Sequence, residues 1–176
     1  RLIDDLLTLA RDGETVGETE PVDLESAVRR AWKNVETYEA SLHLDGDLGT
    51  LPADRARLAS LLENLFRNAV EHGGESVTVS VGPIDDTGSV ADGGRGTSGF
   101  YVEDDGPGIP QGQREAVFDS GYTTSEDGTG LGLVIVRDIA EAHDWTLHVT
   151  DAPDGKRPAS SGGARFEIAG VDWTDG

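Results

Sequence analysis

Two groups of residues stand out for the chemistry that their types and spacing permit. Asn64 and Asn68 lie four positions apart, with His72 a further four along. An asparagine in a helix interior costs about 0.5 kcal/mol relative to alanine, because its carboxamide competes for backbone hydrogen bonds. Two of them one turn apart point to a polar site, and a carboxamide oxygen is a suitable hard ligand for Mg²⁺. Downstream, Val102-Glu-Asp-Asp-Gly-Pro-Gly-Ile-Pro110 and Gly128-Thr-Gly-Leu-Gly-Leu133 bracket a polar stretch that includes Ser120-Gly-Tyr-Thr-Thr-Ser-Glu-Asp127. Glycine lets a ligand approach the backbone closely, so two such clusters around an aperiodic loop suggest a small-molecule site with a movable cover. The second cluster runs into an apolar helix over Leu131 to Ala140, whose N-terminal N–H groups suit a phosphate.

The elements that must carry these residues are legible in outline. With Asn64 at zero on a helical wheel, Leu58, Leu61, Leu62, Leu65, Phe66 and Ala69 span roughly 60° to 200°, a core-facing arc. Arg67, Asn68, Glu71 and His72 fall with Asn64 on a polar face. Pro52 and Asp54 open this helix and Gly73-Gly74 close it. An earlier helix begins after an N-cap at Asp23 and extends to about Tyr38. Leu42 to Leu44, the alternating Val77, Val79 and Val81, Phe100 with Val102, Trp145 to Thr150 and Ala164 to Ile168 read as strands. Residues Asp85 to Ser98, rich in Gly, Asp and Ser, read as a flexible excursion between neighbouring strands, and a Gly/Ser/Pro loop precedes Ala164. At the start, Arg1 to Arg11 shows a broad apolar helical stripe, followed by a polar linker from Glu14 to Pro21. His43, His143 and His148 read as structural.

With 34 acidic residues against 14 basic ones, the net charge is −20 and the isoelectric point about 4.3. Such a surface does not suit nucleic acid, whose phosphates call for a basic face. It repels itself in dilute buffer, whereas at 1 M salt the Debye length falls to about 3 Å, so a halophilic source is expected. The chain has no cysteine, which excludes disulfides and thiolate metal sites and fits a reducing compartment. No eighteen-residue apolar run and no signal peptide are visible, so no membrane contact is expected and the setting reads as cytoplasmic. A first residue Arg1 and the lack of any methionine suggest a piece of a longer protein.

Other phosphate motifs are missing. There is no Gly-x-x-x-x-Gly-Lys-Ser/Thr, Leu133 stands where a Rossmann fingerprint needs its last glycine, and the eukaryotic-type kinase set is absent. What the residues do resemble is the histidine kinase ATPase family. Glu63-Asn-Leu-Phe-Arg-Asn-Ala-Val-Glu-His72 looks like its N box, and Asp104-Asp-Gly-Pro-Gly-Ile109 like its first glycine motif. Val117-Phe-Asp-Ser-Gly-Tyr-Thr-Thr124 looks like its F box, and Gly128 to Leu133 like its second glycine motif. Order and spacing agree over about Asp23 to Ile168. Arg1 to Arg11 is similar to the end of the second helix of a dimerisation and phosphotransfer hairpin.

The resemblance implies an α+β fold of Bergerat type, a two-layer sandwich with a mixed sheet covered on one face by helices. It divides the chain into the end of a dimerisation helix (residues 1–12), a linker (13–22), a catalytic ATP-binding domain (23–170) and a tail (171–176). It implies ATP and Mg²⁺ as cofactors. Asp104 would accept a hydrogen bond from the adenine 6-amino group, Asn68 would hold Mg²⁺, and Asn64 would act beside it as a catalytic group. His72, Gly106, Gly108, Ile109, Thr123 and Thr124 would border the nucleotide. Gly128, Thr129, Gly130, Leu131, Gly132 and Leu133 would form the hinged cover and meet the phosphates. The acceptor histidine would lie outside this chain, on the protein's own dimerisation helices, and a response regulator would take the phosphoryl group. Two rivals share these motifs: a related ATPase such as an anti-sigma-type serine kinase, and a non-catalytic nucleotide-sensing module. Between Val102 and Val136 the one basic residue is Arg114, so a triphosphate would depend on metal, backbone amides and salt.

Overall fold

The computed structural model describes residues 18–35, 37, 39–46, 48–73, 76–84, 98–106, 132–151, 163–171 and 173. The stripe at Arg1 to Arg11 and the segment from Pro107 to Leu131 lie outside the described residues, as do 85–97 and 152–162.

Seven strands and three helices are described. Strand β1 is Glu20–Asp23, helix α1 is Leu24–Asn34, β2 is Ser41–Leu44 and β3 is Thr50–Ala53. Helix α2 is Arg55–Gly73, and β4 (Thr78–Ile84) and β5 (Gly99–Asp104) follow. Helix α3 is Gly132–Ala142, and β6 (Thr146–Asp151) and β7 (Ala164–Ala169) complete the order. Strands β2-β4-β5-β7-β6 form a mixed sheet in which only β2 and β4 run parallel. A parallel pair needs a crossover, and the segment that supplies it contains α2. Strands β4 and β5 join as antiparallel neighbours from Ile84↔Gly99 to Val79↔Asp104, so the excursion expected at Asp85 to Ser98 does connect adjacent strands.

Alternation along the strands gives the sheet two unlike faces. Val79, Val81, Phe100, Val102, Phe166 and Ile168 are buried and meet the helices. On the other face Arg165 pairs with Glu103 at 3.4 Å and Glu167 at 2.9 Å, and lies 3.9 Å above the Tyr101 ring. The Tyr101 hydroxyl donates to Asp45 Oδ2 at 2.7 Å, and burial followed by that bond raises its pKa above the ordinary value. Helix α2 packs against α1 on one side and α3 on the other. This is the two-layer α+β sandwich expected, a mixed sheet with helices on one face.

Local signals explain most boundaries. Asp23 caps α1, accepting from Ser26 N at 3.2 Å and Ser26 Oγ at 2.6 Å. The helix stops at Asn34, not Tyr38, because Val35 turns extended (φ −104°, ψ 141°) and gives its N–H to Trp32 O at 3.3 Å. Helix α3 ends with Asp144 in the left-handed region (φ 60°) and Trp145 N donating to Ala140 O at 2.8 Å.

Two expectations are corrected. Pro52 does not open α2: it lies in β3, and the helix starts at Arg55 under a cap in which Asp54 Oδ1 accepts from Ala56 N (3.1 Å) and Arg57 N (3.3 Å). Residues 20–22, expected as the end of a linker, belong to β1, which pairs with β3 in a two-stranded ribbon. The register places Pro21 opposite Pro52. Neither can donate, so the pairing survives only because both occupy a position that does not exchange N–H bonds. Val22, Leu51 and Ala53 bury the ribbon's inner side.

Candidate functional site

Helix α2 holds its polar residues against a leucine-rich arc. All six arc residues named above are buried, and this fixes the rotation of the helix. Asn68 and His72 are then half-buried, one turn apart. Asn64 departs from the simple wheel: it is buried at 6% exposure. The reason is α3, whose first residue Gly132 comes so close that a Cβ there would sit 3.4 Å from Asn64 Oδ1. The Asn64 amide nitrogen donates to Ser60 O at 2.7 Å, which leaves the carboxamide oxygen directed at the start of α3. The site's helix and the end of the second glycine cluster therefore meet at Asn64.

The opposite end of α3 is fastened to the same helix. The His143 Nδ1 lies 2.8 Å from Ile139 O and its Nε2 accepts from Asp54 N at 3.1 Å, with the ring stacked on Trp145 at 4.2 Å between centroids. These bonds call for a neutral imidazole with its proton on Nδ1.

Asp104 ends β5 on the inward face, opposite Val79, with 9% exposure. Burial raises its carboxyl pKa above the ordinary range; the N–H groups of Gly106 and Ala164 pull it down, and Asp105 adds a further rise. The bonds from Gly106 N (2.9 Å) and Ala164 N (3.4 Å) both reach Oδ1. Among the described residues none donates to Oδ2, so a donor brought there would offset part of the burial penalty. Asp105 braces the turn on its other side, its Oδ1 accepting from Thr78 N at 2.8 Å and its N–H donating to Thr78 O at 3.2 Å.

Of the residues singled out from sequence, Asn64 is brought against Gly132, and Leu133 begins the buried side of α3. Gly106 is joined to Asp104. Gly108, Ile109, Thr123, Thr124, Gly128, Thr129, Gly130 and Leu131 lie outside the described residues. Sequence reasoning missed Ala164, Gly163 and Asp105. The Gly162-Gly163 pair just before a strand pattern was a usable signal for the first two. Among the described residues no three His, Cys, Asp or Glu side chains cluster to hold a metal. A Mg²⁺ ion suits this donor set only in the way it meets nucleotides elsewhere, through one protein oxygen, water and phosphates. No described helix is long and apolar enough to cross a membrane.

Known proteins resemble the chain in sequence and in fold. The family described as histidine kinase-, DNA gyrase B-, and HSP90-like ATPase matches residues 53–172. Over 174 residues the chain is 30% identical to the sensor histidine kinase ZraS of Escherichia coli O157:H7, covering 96% of this chain and 34% of that protein. Among solved structures it is similar to full-length ShkA in complex with AMPPNP (29% identity, TM-score 0.68, 98% of this chain and 36% of that one). It also resembles the mycobacterial sensor histidine kinase MprB (23% identity, TM-score 0.66, 89% of this chain and 99% of that one). The chain thus spans about a third of the length of the curated relatives it matches first. With the family matched over more than half its length, on a two-layer fold that its solved relatives share, the chain belongs to the histidine kinase-, DNA gyrase B- and HSP90-like ATPases.

Proposed function

We propose that the chain is the ATP-binding catalytic domain of a two-component sensor histidine kinase. Residues 1–12 are then the end of its dimerisation helix, and the domain works in the cytoplasm. The observation that carries this reading is Asp104: a buried carboxylate with one oxygen held by two backbone N–H groups and the other suited to a donor such as the adenine 6-amino group. Guanine has a carbonyl at that position, so ATP is preferred. Gly106, Gly108 and Ile109 border the base, and Asn68 holds Mg²⁺ with Asn64 beside it. His72, Thr123, Thr124 and the segment from Gly128 to Leu133 enclose the phosphates. When bound, Mg²⁺ neutralises phosphate charge. The residues of this chain supply position and hydrogen bonds, which phosphoryl transfer mainly requires. The γ-phosphoryl group passes to a histidine outside this chain and then to an aspartate of a response regulator.

Calorimetric titration with Mg-ATP, in buffer of about 1 M KCl, tests this. Saturable 1:1 binding is expected, and Asn68→Ala should weaken it by roughly 10- to 100-fold, the effect of losing one bond to a charged group. Chelating the metal should weaken the wild-type chain to a similar degree and the variant hardly further. Equal heats for both proteins would favour a non-catalytic nucleotide-sensing module.

The charge of −20 gives a second expectation. As ionic strength rises from about 0.1 M to 1 M the Debye length falls from about 10 Å to 3 Å, and repulsion among surface carboxylates and with the triphosphate fades. The melting temperature and the Mg-ATP affinity should therefore both rise across that range. A flat or falling Tm would contradict a salt-adapted fold.

A further inference from the structure

We infer that Gly163 is a specificity-determining position, which sets the carboxylate of Asp104 for its base by letting β7 close directly on the end of β5. The inference rests on the proposed reading of Asp104 as the group that recognises adenine.

The β5–β7 ladder runs from Gly99↔Ala169 to Glu103↔Arg165, and the next step beyond it brings residues 163 and 164 beside Asp104. A Cβ at Gly163 would overlap the Asp104 carbonyl oxygen, lie 2.5 Å from its carbonyl carbon and 3.0 Å from Oδ1. Two of these atoms are backbone of β5, the central strand of the five-stranded sheet, and backbone cannot swing aside as the far end of a flexible side chain can. Any side chain at 163 must push the start of β7 away. That movement removes Ala164 N from Oδ1, where it now stands at 3.4 Å, and leaves Gly106 N as the one donor of the pair. With two donors, one from the turn after β5 and one from β7, the carboxylate plane is fixed and Oδ2 keeps one direction. With one donor it can turn about its Cβ–Cγ bond, and the oxygen offered to the base is no longer in a set place. Because discrimination between a 6-amino and a 6-carbonyl purine depends on that placement, Gly163 acts through Asp104 on selectivity more than on phosphate binding.

The test compares ATP with inosine triphosphate, which carries a carbonyl at position 6, on the wild-type chain and on Gly163→Ala, by calorimetry with Mg²⁺ in high salt. The wild type should prefer ATP by about tenfold or more, and the folded variant should lose most of that preference while still binding both nucleotides. A folded variant that keeps the wild-type ratio overturns the inference and leaves the role of Asp104 standing. Loss of both nucleotides in parallel, the mark of merely structural damage, also overturns it. A wild type that binds ATP with no preference overturns the reading of Asp104 itself. Should Gly163→Ala fail to fold by circular dichroism, amide shifts of the wild-type chain followed through a pH titration decide. The Gly106 and Ala164 N–H signals should move with one shared midpoint as Asp104 titrates; an Ala164 signal that stays still while Gly106 moves contradicts the closure.

Discussion

Asp104→Asn is expected to weaken Mg-ATP binding on the order of 100-fold while raising the melting temperature of the ligand-free chain. Both effects have one cause. The carboxylate is 9% exposed and its pKa is raised, chiefly by burial, so holding it ionised is a penalty on the folded state. Asparagine retains an oxygen for the N–H groups of Gly106 and Ala164 and removes the buried charge. For a chain of this size each kcal/mol so relieved is worth roughly 2–4 °C in Tm. The same change puts an amide N–H₂ where the adenine 6-amino group would donate, and two opposed donors lose a charge-assisted bond and leave a buried group unpaired. The pH dependence has a fixed sign. A carboxyl whose folded pKa lies above its unfolded value destabilises the fold when ionised, and the penalty disappears as pH falls through the folded pKa. Thermal melts should therefore show the variant's advantage at neutral pH and a shrinking difference in mild acid. An advantage that grows on acidification would mean that the Asp104 charge is well compensated without ligand.

Phe66→Ala should be the most damaging single change to the fold, at about 3–5 kcal/mol. Phe66 is fully buried in the middle of α2, and Trp32 of α1 meets its ring edge-on, with centroids 5.3 Å apart and planes at 80°. An aromatic pair of this geometry contributes about 0.5–1.5 kcal/mol beyond the area it buries. Since α2 lies between α1 and α3, the cavity left would loosen the helix that carries Asn64, Asn68 and His72 from its α1 side. Domains are stable by only about 5–15 kcal/mol, so the variant should retain a small part of that. Urea unfolding should show a midpoint lowered in proportion with little change in slope. A loss below about 1 kcal/mol would mean that the α1–α2 contact collapses to refill the space, and that Phe66 does not fix the helix.

The core helix and the five strands of the main sheet were legible because their signals are local. Six apolar residues on one arc of α2 can be seen in the chain alone, and Asp23 before Leu24 announces a cap. The β1–β3 ribbon was not legible, since each strand has four residues and carries a proline, which usually marks a break. Both are acceptable because the register puts them at a position that exchanges no N–H bonds, and the register is a long-range fact. The end of α1 was overrun for a related reason: no glycine or proline follows Asn34 to stop it. In the proposed site, Asn68 is suggested by its spacing from Asn64, and Asp104 by its place in a motif that resembles the family's. The burial of Asn64 could not, because it depends on where α3 begins. Gly163 and Asp105 were hidden for the same reason, as their importance lies in touching β5 and β4, far away in sequence.

The most direct test of the central claim is a map of backbone and side-chain amide shifts on adding Mg-ATP to the isotope-labelled chain. If the base lies at Asp104 and the metal-bound phosphates at the asparagines of α2, the side-chain amides of Asn64 and Asn68 and the N–H groups of Gly106, Ala164 and Gly132 should shift together, saturating with one dissociation constant. Saturation with those five unmoved, or shifts confined to the far face of the sheet around Tyr101 and Arg165, would contradict the account.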